Sequence, residues 1–213
     1  MRKHLAVGAA AILLPMGVVA ASASVAGAKT TPPAAPVDVS HATVSCSSVT
    51  GNVKFSPKVT GTGGHPLAST ISLTLAGCSV SGATVSGLTG KVVGTIHSAN
   101  NGILSLAAPN AAVTGSLGVT WKAGKSTPIT SSTSTVNVTV INGGATDGTN
   151  ADSHVTFTIT SGSSVTGDFQ GSNSGATSTF SATSSDTIPG VLPQLAKTGL
   201  CKLTFASGNL SLG

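Results

Sequence analysis

Apolar residues alternate with polar ones over most of this 213-residue chain. Val44 follows Ala42 after one polar residue, and Ile71, Leu73 and Leu75 are spaced in the same way. Successive side chains of an extended strand point to opposite faces, so a period of two gives a strand one apolar and one polar face. Further runs lie at 53–59, 117–121, 136–140, 155–159, 165–169 and 201–205. The pattern predicts about ten short strands.

The composition agrees with strands and argues against helices. Ser and Thr fill 61 of 213 positions, there is no Glu, and charged residues make up 7% of the chain, against roughly 25% in an ordinary domain. Helices draw on Glu, Lys, Arg and Leu, whereas Thr, Val and Ile favour a half-buried sheet. Turn signals such as 142–144 and 161–162 separate the runs. We therefore expect an all-β fold, an antiparallel β-sandwich of immunoglobulin-like or related type, with a β-barrel as the alternative. Its predicted core includes Trp121, Phe157 and Leu203.

The first 28 residues have the three parts of a secretory signal peptide. A basic start at 1–4 precedes an apolar run at 5–21, and small residues at 21–23 and 26–28 offer cleavage sites. Residues 29–40 contain three of the ten Pro and are predicted to be an extended tether. Residues 41–213 then form a single β-domain. No integral membrane segment is expected after cleavage, and the protein is predicted to be secreted or to lie in the cell envelope.

Three cysteines permit one disulfide bond and one free thiol in an oxidising compartment. Cys46 and Cys78 are the predicted pair because they lie in neighbouring strand regions. Cys201 is in phase with Leu203 and Phe205, so we expect a buried free thiol there.

The motifs of common hydrolases are missing from the sequence. No Gly-x-Ser-x-Gly motif occurs, and a zinc motif of the His-Glu-x-x-His type is impossible without Glu. The histidines after the leader are isolated and predicted to be solvated; they are His41, His65, His97 and His154. A Ser/His/Asp site among so many serines stays open as an alternative. No catalytic residue and no cofactor are predicted.

One loop contains residues of the type that bind calcium. Asp147, Asn150 and Asp152 lie in a Gly-rich stretch, and Ca²⁺ takes oxygen ligands from flexible loops. Side chains that bond their own backbone in a hairpin loop explain the same residues. They are kept as a weak calcium candidate beside an overall prediction of no metal.

The lysines after the leader are scattered singly along the sequence, without a basic run. Proteins that bind nucleic acid neutralise consecutive phosphates with clustered Lys and Arg. The sequence therefore predicts that nucleic acid is not the partner.

Several short motifs together resemble a group of small secreted proteins of actinobacteria. These are Cys46-Ser-Ser-Val-Thr-Gly-Asn-Val-Lys-Phe-Ser-Pro57, Leu75-Ala-Gly-Cys78, Gly118-Val-Thr-Trp121 and Gly167-Asp-Phe-Gln-Gly171, with a closing stretch from Gly199 to Gly213. The resemblance implies export, and it brings no catalytic or binding residues with it.

The sequence favours a secreted, non-enzymatic binding or structural module of the extracellular space or cell envelope. Few acids, bases and metal ligands are available for catalysis. An extracellular or envelope protein is the partner class that this location favours. A secreted hydrolase with an unrecognised Ser/His/Asp site is the alternative.

Overall fold

The computed structural model describes residues 32–60, 66–99, 110–145, 154–159, 164–171, 178–187 and 197–213. The compact β-domain spans Ala34–Gly213, so it begins before the predicted boundary at His41. The predicted signal peptide, 1–28, and the first residues of the tether lie outside the described residues.

Nine strands make up the described part of the domain. They are β1 (Thr43–Val59), β2 (Leu67–Ser81), β3 (Leu88–Ser98), β4 (Asn110–Lys122), β5 (Thr133–Ala145), β6 (His154–Ile159), β7 (Ser164–Gly167), β8 (Thr179–Thr187) and β9 (Leu200–Leu212). Their hydrogen-bonded order is β4-β3-β2-β1-β9-β8-β6-β5-β7, and all the pairs are antiparallel. Strand β4 also pairs with β5, so the ladder returns to its starting strand, as in a barrel. The predicted all-β, antiparallel fold is confirmed.

The strands form where the sequence alternates. Along β2, buried positions alternate with more exposed ones from Leu67 to Leu75. The inward positions of the strands are mainly Val, Leu, Ile and Phe, and Thr, Ser and Lys occupy many of the outward ones. Burial of the apolar face stabilises the sheet, while the hydroxyls and ammonium groups of the other face stay hydrated.

The core is a single cluster between opposite walls of the closed sheet. Val92, Leu117 and Val136 from one wall and Phe180 and Leu212 from the other line one interior void of about 10 Å³. A void of that size barely reaches the volume that one water molecule needs. Side chains therefore pack closely around this void.

Two of the three predicted core residues are confirmed. Trp121 is 2% exposed and Leu203 is fully buried. The side chain of Phe157 lies outside the described part of the structure.

Several strand boundaries differ from the predicted ones. The two runs at 42–46 and 53–59 belong to one long strand, β1, and the predicted turn at 142–144 lies inside β5, where Gly143 pairs with Phe157 of β6. Strands β3 and β8 were not predicted. Their inward positions include Gly90 and Ala182, whose missing or small side chains give no alternating apolar signal.

The predicted disulfide bond is confirmed. Cys46 of β1 and Cys78 of β2 are direct partners in the antiparallel register, with their Cα atoms 3.9 Å apart. In the chain-entropy treatment, closing a loop of this length contributes roughly 3–4 kcal/mol. The bond thus ties together two strands that already pair.

The prediction of a buried Cys201 is wrong, because this free thiol is exposed. Leu200 and Leu203 point inward, and the two residues between them are both exposed. The register of β9 against β1 shifts between Lys54 and Val59, which breaks the strict alternation at this point. Cys201 therefore points outward, although its position in the sequence is in phase with Leu203.

Candidate functional site

The segment 37–41 is docked against the sheet instead of extending into solvent. The amide of Val37 donates to the carbonyl of Pro128 at 2.7 Å, and the amide of Thr130 donates to the carbonyl of Val37 at 2.9 Å. These bonds form an isolated parallel bridge between Val37 and Ile129. The predicted tether, 29–40, therefore ends before Val37.

A loop at 168–171 holds the same segment from its other side. The amide of Phe169 donates to Val39 at 3.0 Å, and the amide of Gln170 donates to Ser40 at 3.1 Å. The Val39 side chain is 1% exposed. Phe169 has a φ of 57°, which is uncommon outside glycine. This backbone geometry marks the loop as a constrained element of the fold.

Two residues of this loop, Asp168 and Phe169, pack with Trp121 and Ser134 in a buried group that we call the Asp168 cluster. The indole Nε1–H of Trp121 donates to the Ser134 hydroxyl at 2.7 Å, and that hydroxyl donates to the backbone carbonyl of Asp168 at 2.5 Å. The rings of Trp121 and Phe169 meet edge to face with centroids 5.0 Å apart. The Ser134 hydroxyl thus makes one hydrogen bond as acceptor to Trp121 and one as donor to Asp168.

The Asp168 carboxyl group is the unusual member of the cluster. The residue is 3% exposed, and Oδ2 has no hydrogen-bond partner. Burial raises the pKa of this carboxyl, while bonds from the Ser131 side chain and the Thr133 backbone oppose the shift. The charge of Asp38 adds to the rise of the pKa. Burial therefore makes the protonated form of this carboxyl more favourable than it is in water.

His41 and Asp38 belong to the docked segment 37–41, and they form no catalytic triad with Ser134. Nδ1 of His41 lies 3.4 Å from the carbonyl oxygen of Gly171. The amide of Ser40 donates to Asp38 at 3.0 Å, which lowers the pKa of that carboxyl. A triad requires a base bonded to the nucleophile, and the hydroxyl of Ser134 is bonded elsewhere.

The remaining residues considered in the sequence are dispersed or lie outside the described part. His97 is exposed at the end of β3, in an open depression of about 340 Å³ that Ser98 and Thr114 also line. Among its described lining residues there is no carboxylate. Outside the described residues are the calcium candidates Asp147, Asn150 and Asp152, together with His65 and the side chain of His154. Among the described residues, no three His, Cys, Asp or Glu side chains lie together as a metal site requires.

The fold brings together lysines that are far apart in sequence. Lys54 of β1 and Lys202 of β9 are direct partners across the ladder, and both are exposed. Lys58 donates to the carbonyl of Thr198 at 3.4 Å, beside exposed Lys197. We call Lys54, Lys58, Lys197 and Lys202 the lysine patch. The sequence does not signal it, because strand pairing alone makes these residues neighbours.

The Asp168 cluster was not predicted from the sequence, although three of its four residues lie in motifs that were singled out there. Trp121 ends the motif 118–121, and Asp168 and Phe169 lie in the motif 167–171; both motifs belong to the resemblance described above. The structure shows that these two motifs pack on each other. Only the partner Ser134 lacks a distinguishing local pattern.

Comparisons of the chain with protein-family models, with curated proteins and with solved structures gave no match. In the described residues, no helix is both long and apolar enough to span a membrane. Functional inference therefore rests on the residues of this chain.

Proposed function

We propose that this chain is a secreted, non-enzymatic β-domain that serves as a binding or structural module in the extracellular space or cell envelope. The observation that carries the proposal is the pair of hydrogen bonds made by the Ser134 hydroxyl. This buried hydroxyl links Trp121 to the Asp168 backbone, so both of its hydrogen bonds stabilise the fold.

Two further features support a binding or structural role on the outer surface. The interior void between Val92, Leu117 and Phe180, of about 10 Å³, is too small for a small-molecule ligand. The Cys46–Cys78 disulfide bond suits an oxidising compartment. Contacts with a partner would then be made by the outer faces of the strands and by the loops.

A substrate panel tests the non-enzymatic part of the proposal. The purified protein is assayed with ester, peptide and glycoside substrates, beside an Asp168→Asn variant and a His41→Gln variant. We expect all three proteins to give the buffer rate. Turnover by the wild type that either variant loses would overturn the proposal and favour the Ser/His/Asp hydrolase.

Export is tested separately by expressing the full chain and sequencing the N-terminus of the released protein. We expect the mature protein in the medium or envelope fraction, beginning at Lys29 after cleavage of 1–28. Retention of an uncleaved chain in the cytoplasm would contradict the assignment of the compartment.

A further inference from the structure

The lysine patch joins four of the nine lysines of the chain on one outer face. Lys54 and Lys202 stand directly opposite each other on paired strands. Side chains in such positions have Cβ atoms about 4.5–5.5 Å apart, and like charges there destabilise a sheet. Positions that cost stability without a local benefit are typical of functional surfaces.

The third lysine is held in position by its surroundings. Gly199 has a φ of 73°, and a Cβ built there would lie 3.0 Å from Cβ of Lys58. The absence of a side chain at Gly199 therefore lets the Lys58 stem lie across the chain and reach Thr198. Lys197, the neighbour of Thr198, completes the patch.

The positive charge of the patch is not neutralised within the described residues. None of the four ammonium groups forms an ion pair with another described side chain. Asp186, on the adjacent strand β8, is exposed and makes no such pair either. The patch therefore presents four positive charges to solvent.

We propose that the lysine patch binds a flexible linear polymer of repeating phosphate groups that carries no bases. This inference rests on the proposed function of an extracellular binding module. The four positive charges of the patch exceed the charge of about −2 that one phosphate group carries, so an occupant that matches them has several phosphate groups. Lysine binds phosphate as a point charge, whereas planar carboxylates are matched best by Arg. The only Arg of the chain is Arg2, in the predicted leader.

The aromatic residues beside the patch argue against nucleic acid as the occupant. Phe55 of β1 and Phe205 of β9 point into the core, with exposures of 6% and 2%. Single-stranded nucleic acids are bound by stacking their bases on exposed aromatic rings. A polymer without bases does not need such rings.

Binding of end-labelled inorganic polyphosphate to the exported protein, measured by fluorescence anisotropy, tests the proposal. We expect the double variant Lys54→Gln/Lys202→Gln to bind about 25-fold more weakly at low salt, since each lysine near a polyanionic surface contributes about fivefold. The matched control, Lys91→Gln/Lys125→Gln, removes the same charge from exposed positions on other elements. We expect it to change the affinity less than about threefold by the same reasoning.

Three more measurements test the interaction. With four contacts, the logarithm of the binding constant should fall with the logarithm of salt concentration with a slope of about −3. Polyphosphate should also slow the labelling of Cys201, the neighbour of Lys202, by an uncharged maleimide. The patch variant should unfold at the same or a higher temperature than the wild type, because a like-charge pair is removed.

Three results would overturn the proposal: no binding of polyphosphate at low salt, an equal loss in the patch and control variants, or tighter binding of duplex DNA or of anionic lipid vesicles. These results leave the non-enzymatic function standing. Cleavage of polyphosphate by the protein would instead contradict the non-enzymatic function, whether or not the patch binds the polymer.

Discussion

Replacement of Ser134 by Ala tests whether the Asp168 cluster stabilises the domain. The hydroxyl accepts the indole N–H of Trp121 at 2.7 Å and donates to the Asp168 carbonyl at 2.5 Å, at a position that is 2% exposed. The variant leaves one buried donor and one buried acceptor without that partner. Each such loss costs about 1–3 kcal/mol, so we expect the free energy of unfolding to fall by about 3 kcal/mol.

Urea denaturation measures this change, and Trp121, the only Trp of the chain, reports it by fluorescence. With a denaturant slope of about 2 kcal/mol per molar, the unfolding midpoint should fall by about 1.5 M. Ser132→Ala is the matched control, because the Ser132 side chain is exposed and only its backbone carbonyl bonds to Trp121.

A double-mutant cycle with Trp121→Phe separates the hydrogen bond from general packing. Phe has no indole N–H, so Ser134→Ala should cost about 1–2 kcal/mol less in that background, as measured by circular dichroism. The reasoning is refuted if Ser134→Ala lies within about 0.5 kcal/mol of the wild type, the range of an ordinary surface substitution.

Three further predictions concern packing, pH and the free thiol. A Cβ at Gly90 would lie 2.9 Å from atoms of both Leu75 and Trp121, so Gly90→Ala should lower the free energy of unfolding by about 1–3 kcal/mol in a urea titration. The control is Gly118→Ala, which should be close to neutral because a Cβ there meets only a carbonyl oxygen at 3.6 Å. Burial raises the pKa of Asp168 above its ordinary value of 3.8, so the native state holds the proton more tightly than the unfolded state does. The protonated carboxyl therefore stabilises the native state fully below pH 3.8, and this stabilisation is lost as the pH rises through the raised pKa. Asp168→Asn should therefore flatten the pH dependence of stability in this window, and an unchanged profile would contradict the assignment. Cys201 in the native protein should react with a thiol reagent as fast as in urea, because it is exposed; strong protection would contradict its placement.

The sequence was sufficient for features that depend on neighbours along the chain. The alternation at Ile71, Leu73 and Leu75 predicts a strand with one buried face, and that face is buried. Local alternation reports which face of a strand is apolar, since successive side chains point in opposite directions. Trp121 and Leu203 were placed in the core for the same reason.

The sequence failed where a strand departs from strict alternation. Cys201 shares the phase of Leu203, yet it is exposed because the β1–β9 register shifts beside it. Such a shift depends on the partner strand, which is not adjacent in sequence. Strand β3 was not predicted for a different reason. Its inward position 90 is a glycine, which gives no apolar signal in the sequence and leaves space for Trp121 of the neighbouring strand.

By itself, the sequence determined the all-β class and predicted the disulfide bond between Cys46 and Cys78. Only the tertiary structure decided that the sheet closes through β4 and β5, that Val39 docks on the 168–171 loop, and that Lys54 faces Lys202. The physical reason is the range of the interactions. Side-chain alternation is set within two residues, whereas closure, docking and charge clustering arise from hydrogen bonds between segments that are distant in the chain.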